Sequence, residues 1–312
     1  MSSTTRIEWV QGEDGTRGVT WNPTTGCDRV SPGCDHCYAL TMAKRLKAMG
    51  SAKYQTDGDP RTSGPGFGVA MHEDVVTEPL RWRKPRTVFV NSMSDLFHKD
   101  MSDDFLAKVF AVMALTPQHT YQILSKRHAR LKSLLNASWF VNAVWAEMYV
   151  LSHGDSLRMF DKQPWPIPGV WLGVSAEDQR WADIRIPALM QTPAAVRFVS
   201  CEPLLGPIKL HRGHGHCPAH DFAGGFCSGP CPDLVVPTWL IVGGESGRGA
   251  RPMDLDWVRN LRDDGRSAGA AVFVKQLGSV WATRHGAADR KGGDPSEWPA
   301  DLRVREMPGG AS

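Results

Sequence analysis

The sequence contains no long apolar segment. No run of about eighteen apolar residues occurs, so no helix is expected to span a membrane. The first residues lack the apolar core of a secretory signal, which predicts a cytoplasmic protein. A net charge of only +3 permits contact with nucleic acid but does not by itself argue for it.

The chain is not broadly disordered. Hydrophobic residues make up 41% of it and charged residues 22%, which is enough for a sizeable core. Its 312 residues suit a single α/β barrel. In a cytoplasmic protein the seven cysteines are expected to be thiols or metal ligands rather than disulfides.

Short apolar runs predict buried strands, and the segments between several of them predict helices. The strands are expected at residues 18–21, 87–90, 121–124, 170–174, 196–199, 239–242 and 271–274. Helices are expected at residues 38–49, 103–115, 179–190 and 254–268, with Ser102 and Asp254 as candidate N-caps.

This alternation predicts an α/β fold, a full or partial parallel (β/α) barrel, with an open doubly wound sheet as the structural alternative. The barrel is expected over residues 1–286. Within it, residues 206–237 form a Cys/His-rich insertion, and residues 287–312 follow as a polar C-terminal tail.

Polar or ionisable groups follow nearly every predicted strand. In a parallel barrel these strand ends meet at one face, where active sites are built, although loops are commonly polar in any case. The candidate binding residues are Asn91, Ser92, Asp95, Ser125, Lys126, Ser175 and Glu177, and the candidate catalytic residues are Glu202, Glu245 and Lys275.

Cys27, Cys34 and Cys37 lie in one loop with the spacing C-x6-C-x2-C. Pro32 and Gly33 predict a turn that brings the thiols together. Three thiolates suit an iron–sulfur cluster and leave one iron of a four-iron cluster without a protein ligand. The alternatives are a zinc site completed by His36 or a distant residue, and three unliganded thiols.

A strand, a three-cysteine loop and a helix form the opening unit of radical S-adenosylmethionine (radical SAM) enzymes. Their common spacing is C-x3-C-x2-C with an aromatic residue before the last cysteine; here the first gap is longer and His36 holds that position. Beyond the cysteine loop, the sequence from about Trp21 to Gly278 resembles a radical-SAM-like family of phage and prophage proteins with a three-cysteine motif and no defined function. The segments that carry this resemblance are TGCDRVSPGCDHCYA, FVNSMSDLFH, YQILSKR, WLGVSAEDQ, RFVSCEPLLGPI, WLIVGGESG and VFVKQLG.

The resemblance implies a radical-SAM-type barrel with a 4Fe–4S cluster on the three cysteines and S-adenosylmethionine on the open iron. An external electron donor would reduce the cluster, and a 5′-deoxyadenosyl radical would attack the substrate. Asp95 is then expected to accept from the methionine amino group, or else only to cap a helix. Lys126 or Arg127 is expected to pair with the methionine carboxylate. Glu202, Glu245 and Lys275 are expected to face the substrate, with internal ion pairs as the alternative.

A second group of cysteines lies in the predicted insertion. Cys217, His220, Cys227 and Cys231 have the spacing C-x2-H-x6-C-x3-C, which predicts a structural zinc site. A second iron–sulfur cluster and no metal at all are the alternatives. Cys201 stands alone and is expected to be a buried structural thiol rather than a catalytic one.

The leading functional hypothesis is a radical SAM enzyme, with nucleic acid or a nucleotide as the substrate class that a phage setting suggests. The basic run RWRKPR at residues 81–86 suits phosphate contact. The alternatives are a non-catalytic zinc protein that binds nucleic acid or a protein partner, and a barrel that binds S-adenosylmethionine without cleaving it.

Overall fold

The computed structural model describes residues 3–12, 15–153, 164–210 and 236–309. The chain divides into two compact units. Unit 1 comprises Met1–Val174 and Gln191–Ala195, and unit 2 comprises Ser175–Met190 and Val196–Ser312. None of the helices in the described ranges is long and apolar enough to cross a membrane.

Unit 1 is built on parallel strands covered by helices. Its strands are β1 (Ser3–Thr4), β2 (Val19–Trp21), β3 (Thr24–Thr25), β4 (Ala70–Met71), β5 (Thr87–Val90), β6 (Thr120–Ser125) and β7 (Val170–Ser175, of which Ser175 belongs to unit 2). Its helices are α1 (Tyr38–Ala48), α2 (Glu73–Val76), α3 (Asp103–Ala114), α4 (His128–Leu135) and α5 (Ser138–Leu151). Strands β2, β5, β6 and β7 pair in parallel in that order, while β1 pairs antiparallel to β2. Strands β3 and β4 form a separate antiparallel pair.

Helix α3 forms the centre of the unit 1 core because it is apolar on nearly every side. The Ser102 hydroxyl accepts a hydrogen bond from the Phe105 N–H, so Ser102 is the N-cap expected from the sequence. Phe110 of α3 packs edge-on against Phe140 of α5, with ring centroids 5.7 Å apart. A helix buried on most of its surface is expected to be hydrophobic all round, and α3 follows that rule.

Unit 2 repeats the same construction. Its strands are β8 (Val196–Cys201), β9 (Trp239–Gly243) and β10 (Ala271–Gln276), and its helices are α6 (Gln179–Met190), α7 (Leu255–Ser267) and α8 (Ser279–His285). Strands β8, β9 and β10 pair in parallel in that order. The Asp254 carboxylate caps α7 by accepting from the Asp256 N–H.

The predicted α/β class with parallel strands is confirmed. All seven predicted strands and all four predicted helices are present, most with ends shifted by one or two residues. In each unit the pairing order follows the chain order, which is consistent with a partial parallel barrel. A doubly wound sheet would show a reversal of strand order at its switch point.

The segment that the sequence predicts as a polar tail packs into unit 2. Trp298 and Leu302 are buried, and the Trp298 indole N–H donates to the Gly292 carbonyl. The Val274 N–H donates to the Val304 carbonyl, so the segment also pairs with the edge of β10. Burial of a few large side chains and pairing with β10 hold this stretch despite its polar composition.

We expect Trp298→Ala to lower the free energy of unfolding by about 3–5 kcal/mol, because it removes a large buried side chain. Trp298 is 2% exposed, whereas Trp139 on α5 is 54% exposed and serves as the matched control. Trp139→Ala should lower the same quantity by less than about 1 kcal/mol. Urea unfolding followed by circular dichroism measures both, and equal losses would contradict the packing of residues 287–309.

Candidate functional site

The cysteine loop of unit 1 is attached to the end of β5. The Gly26 N–H donates to the Met93 carbonyl at 3.0 Å, and Gly26 forms a parallel bridge with Ser94. The Thr24 hydroxyl bonds to the Ser94 hydroxyl at 2.7 Å. Cys27 therefore begins at the carboxyl end of the parallel strands, where the sequence predicts the site.

Gly26 makes this attachment possible because it has a φ of +87° and no side chain. A Cβ at this position would lie 2.1 Å from the Gly68 carbonyl oxygen. Only glycine permits both the left-handed backbone and so close an approach of a second chain segment. The loop around residue 68 therefore closes over the start of the cysteine loop.

The three sulfurs are held by the local backbone. Pro32–Cys34 forms a short 3-10 turn, in which the Cys34 N–H donates to the Ser31 carbonyl at 2.9 Å. The Cys37 N–H donates to the Cys34 carbonyl at 3.2 Å, and Cys37 is the N-cap of α1. All three cysteines are free and half-buried.

The surroundings of Cys27 and Cys37 raise the pKa of both thiols, and Cys34 contributes electrostatically to each rise. Burial raises the pKa of Cys27 to about 12, with a further contribution from Asp95, while Arg127 opposes the rise and Cys34 adds to it. Burial also raises the pKa of Cys37, and the N–H of Ala39 and the charge of Lys126 oppose that rise. The thiols of Cys27 and Cys37 are therefore protonated at neutral pH when no metal is bound, and a metal would have to displace their protons.

The donor chemistry of the loop fits a soft metal or an iron–sulfur cluster, since three thiols lie in one eleven-residue segment. Within the described ranges no three His, Cys, Asp or Glu side chains stand in positions that would hold a metal ion. The case for a metal or cluster at this loop therefore rests on the presence of three cysteines and on their spacing in the chain, and not on the positions of their side chains.

Asp28 links this loop to two other segments of unit 1, one around residue 62 and one around residue 98. Its carboxylate accepts from Thr62 at 2.6 Å and Ser63 at 3.1 Å, and it lies 3.0 Å from the buried His98 Nε2. Burial favours a higher pKa for Asp28, but the bonds from Thr62, His98 and Ser63 together hold it below the ordinary range. Sequence reasoning missed Asp28 and His98, because no spacing relates two residues so far apart in the chain.

Asp95 ties the ends of β5 and β6 together. One oxygen accepts from the Phe97 N–H at 3.1 Å and the Ser125 hydroxyl at 2.7 Å, and the other accepts from the Lys126 N–H at 2.8 Å. Asp95 is buried. Its carboxylate is therefore used largely within the protein, in the turn that follows it and at the end of β6. It does not cap a helix, because the next helix begins at Asp103 with Ser102 as its N-cap.

Asn91 and Ser92 also lie at this edge. The Asn91 amide donates to the Thr24 hydroxyl at 2.8 Å, while its Oδ1 is buried and has no hydrogen-bond partner among the described residues. Asn22, which the sequence analysis did not select, accepts from the Ser92 N–H at 2.7 Å. The Tyr38 hydroxyl donates to the Ser92 carbonyl, which fixes the first turn of α1 on the end of β5.

Arg127 extends from the end of β6 to the cysteine loop. Its Nη2 donates to the Asp28 carbonyl at 3.2 Å, and the Cys27 thiol also donates to that carbonyl, at 3.5 Å. Its Nε is buried and has no hydrogen-bond partner among the described residues. Asn91, Ser92, Asp95, Ser125 and Lys126 therefore lie at the same strand ends as the cysteine loop, together with Arg127 and Asn22. Their role in binding a ligand stays a prediction.

The remaining predicted site residues lie in unit 2, mainly in ion pairs. Lys275 Nζ and Glu202 Oε1 are 2.6 Å apart. The Glu245 carboxylate accepts from Nε of Arg251 at 2.9 Å and from its Nη2 at 2.6 Å. The partner of Glu177 is Arg185, which also donates to the Ser175 carbonyl at 2.9 Å. These contacts match the ion-pair alternative; a role toward substrate stays a prediction.

Cys201 is fully buried at the end of β8, and burial raises its pKa well above the usual range, with a further contribution from Glu177. This agrees with a structural thiol, because a buried neutral thiol is a poor nucleophile. The second group, Cys217, His220, Cys227 and Cys231, lies outside the described residues. The predicted zinc site there stays a prediction.

Residues 4–299 match the model of a family described as "Protein of unknown function (DUF5131)". No curated protein and no solved structure matches the chain. The match covers both units and the cysteine loop.

We expect Gly26→Ala to open the cysteine loop, and Gly64→Ala is the matched control. Both glycines have positive φ, +87° and +85°, but a Cβ at Gly64 meets no atom within 4 Å. Each variant carries about 1–2 kcal/mol of backbone strain. Gly26→Ala should lose about 1–3 kcal/mol more through its clash with Gly68.

The measurements are urea unfolding and the rate at which an aromatic disulfide reagent modifies the thiols of the metal-free protein. Faster modification is expected for Gly26→Ala alone. Equal stabilities and equal modification rates for the two variants would contradict the close contact between residues 26 and 68.

Proposed function

The chain belongs to the DUF5131 family of proteins of unknown function, and we propose that it is a radical SAM enzyme whose cluster is held by Cys27, Cys34 and Cys37. The S-adenosylmethionine would bind at the carboxyl ends of β2, β5 and β6. When bound, the 4Fe–4S cluster supplies the electron that cleaves S-adenosylmethionine to methionine and a 5′-deoxyadenosyl radical.

One observation favours a site that also binds S-adenosylmethionine over a simple metal site. Two buried polar atoms beside the thiol loop have no hydrogen-bond partner in the described ranges, the acceptor Asn91 Oδ1 and the donor Arg127 Nε. The same Arg127 guanidinium already donates to the Asp28 carbonyl and interacts with the Cys27 thiol. A buried polar atom without a partner is destabilising by about 1–3 kcal/mol, so a ligand that bonded to both atoms would be favoured at this position. An α-amino acid group supplies an ammonium for the acceptor and a carboxylate for the donor.

The chain's own groups would then have distinct roles. Asn91 accepts from the methionine ammonium, and Arg127, with Lys126 beside it, receives the methionine carboxylate. Asp95 orients the backbone of Lys126 and the Ser125 hydroxyl rather than the ligand. This reassigns the ammonium contact from Asp95, the sequence-based candidate, to Asn91.

Reactions of this kind need protection from water. The segment that carries Thr62 and Ser63 is bonded to Asp28, next to Cys27, and we propose that it shields this part of the loop. The substrate class stays open between nucleic acid, a nucleotide and other molecules.

Anaerobic reconstitution with iron and sulfide should give a brown protein that absorbs near ~400 nm, as iron–sulfur clusters do. Cys34→Ala should abolish the production of 5′-deoxyadenosine from S-adenosylmethionine and dithionite, because Cys34 is the middle ligand. Cys201→Ala is the matched control and should retain it, since Cys201 is buried at the end of β8. A protein that takes up only zinc in this loop would refute the proposal.

Asn91→Leu should weaken S-adenosylmethionine binding about ten- to a hundredfold without loss of the cluster, as expected when a hydrogen bond to a charged group is removed. Asn142→Leu, at an exposed position of α5, is the control and should bind normally. Equilibrium dialysis of the reconstituted variants with labelled S-adenosylmethionine measures the effect. Normal binding by Asn91→Leu would show that the Asn91 amide does not contact the ligand.

A further inference from the structure

The basic run at residues 81–86 of unit 1 lies directly before β5 and is here called the basic turn. Arg81 is the last residue of a short 3-10 turn, and the side chains of Arg81, Arg83 and Lys84 are exposed. Arg86 is half-buried and leads into β5. The basic turn therefore carries four cations in six residues.

Trp82 and the segment before β6 hold the basic turn in place. The Arg86 guanidinium carbon lies 5.0 Å from the centre of the Trp82 ring, and that ring packs edge-on against His119 with centroids 5.5 Å apart. The Thr120 N–H donates to the Arg86 carbonyl at 2.9 Å. Packing thus keeps four like charges together although they repel one another, and a bound anion would relieve that repulsion.

No acidic side chain forms an ion pair with the basic turn within the described part of the chain. Residues 79–94 contain no Asp or Glu, and the nearest acidic residue along the chain is Glu78. Beside the start of β5, Arg17 is exposed and adds a fifth cation, while Glu13 and Asp14 lie outside the described residues. The described surroundings of the turn are therefore positive.

These surroundings are charged but hardly apolar. Between residues 72 and 138, a stretch that is described throughout, Leu80 is the one large hydrophobic side chain that is exposed. A protein interface has an apolar core, and a membrane-bound segment inserts apolar side chains among the lipids. The backbone of nucleic acid needs neither, because its sequence-independent binding depends on phosphate contacts with Lys and Arg.

We propose that the basic turn binds the phosphate backbone of a nucleic-acid strand without regard to base sequence. Arginine suits this partner because its planar guanidinium donates to two phosphate oxygens at once. Trp82 is half-buried and carries Arg86 over its ring, so charge rather than base stacking supplies the binding.

The basic turn is separate from the cysteine loop. It precedes β5, whereas the cysteine loop is attached after the end of that strand. Four strand residues at about 3.3 Å each place roughly 13 Å between the two ends. The turn is thus an anchoring surface, and the inference does not rest on the proposed function.

The test is fluorescence anisotropy of a short fluorescein-labelled oligothymidylate with the metal-free full chain. At ~0.1 M salt, a variant that combines Arg83→Ala with Lys84→Ala should bind about 10- to 30-fold more weakly, because each lost phosphate contact costs about fivefold there. The slope of the logarithm of the association constant against the logarithm of the salt concentration should become shallower by about 1.4, or ~0.7 for each contact.

Arg290→Ala combined with Lys291→Ala is the matched control. It removes the same two charges from another adjacent pair of exposed residues that forms no ion pair within the described ranges. Its affinity for the oligothymidylate should stay within about twofold of that of the original protein. All four positions are exposed, so urea unfolding curves should be unchanged in both variants.

Three results would overturn the proposal. Equal weakening by both pairs of substitutions would mean that binding follows net charge and not the basic turn. A dissociation constant above about 100 µM for the original protein at ~0.1 M salt would exclude nucleic acid as the partner. If the basic-turn variant lost only its binding to vesicles of phosphatidylcholine and phosphatidylserine, the surface would belong to a membrane. Because the protein is metal-free, none of these results bears on the proposed cluster.

Discussion

The attachment of Gly26 to the end of β5 is the constraint on which the site depends. The Gly26 N–H bonds to the Met93 carbonyl, and the positive φ of Gly26 turns the chain so that Cys27 follows at the strand ends. Strand β5 pairs in parallel with both β2 and β6. Fixing one residue of the loop therefore fixes its position relative to the polar groups at three strand ends.

Two carboxylates then hold the surroundings of Cys27 in place. Asp95 accepts from two backbone N–H groups and a hydroxyl, and Asp28 accepts from two hydroxyls and lies against His98. Such bonds to an ionised acceptor are about twice as strong as neutral ones. Because both carboxylates are used internally, they orient the loop and its neighbours.

The strands and helices could be predicted from the sequence because their signals are local. An apolar run such as TVFV can only be buried, and a serine before an acidic pair begins a helix, as Ser102 does. The cysteine loop was equally visible, because its three cysteines lie close together in the chain. Its position at the strand ends followed from the rule for parallel sheets.

The rest could not be predicted, because it depends on tertiary contacts. Asp28 and His98 are seventy residues apart, and no pattern in either segment indicates the other. Trp298 and Leu302 are isolated apolar residues in a polar segment without periodicity, so their burial in unit 2 has no local signal. The expectation that Asp95 contacts a ligand has a related origin, because a carboxylate fits that role. The three groups of the protein that donate hydrogen bonds to Asp95 are visible only in the structure.

The charges near the thiol loop limit what it can hold. Burial keeps Cys27 and Cys37 protonated in the metal-free protein, so three thiolates there require cations. Metal ions supply that positive charge, and Arg127 and Lys126 add to it. On charge alone, a zinc site and an iron–sulfur site are equally suited to the loop. The difference lies in Asn91 Oδ1 and Arg127 Nε, which are buried and without a hydrogen-bond partner in the described part of the chain. A structural zinc site is closed by its own ligands and would leave both atoms unsatisfied. A metal centre that also binds an amino-acid group would satisfy both, and for this reason we favour a cluster with an open iron.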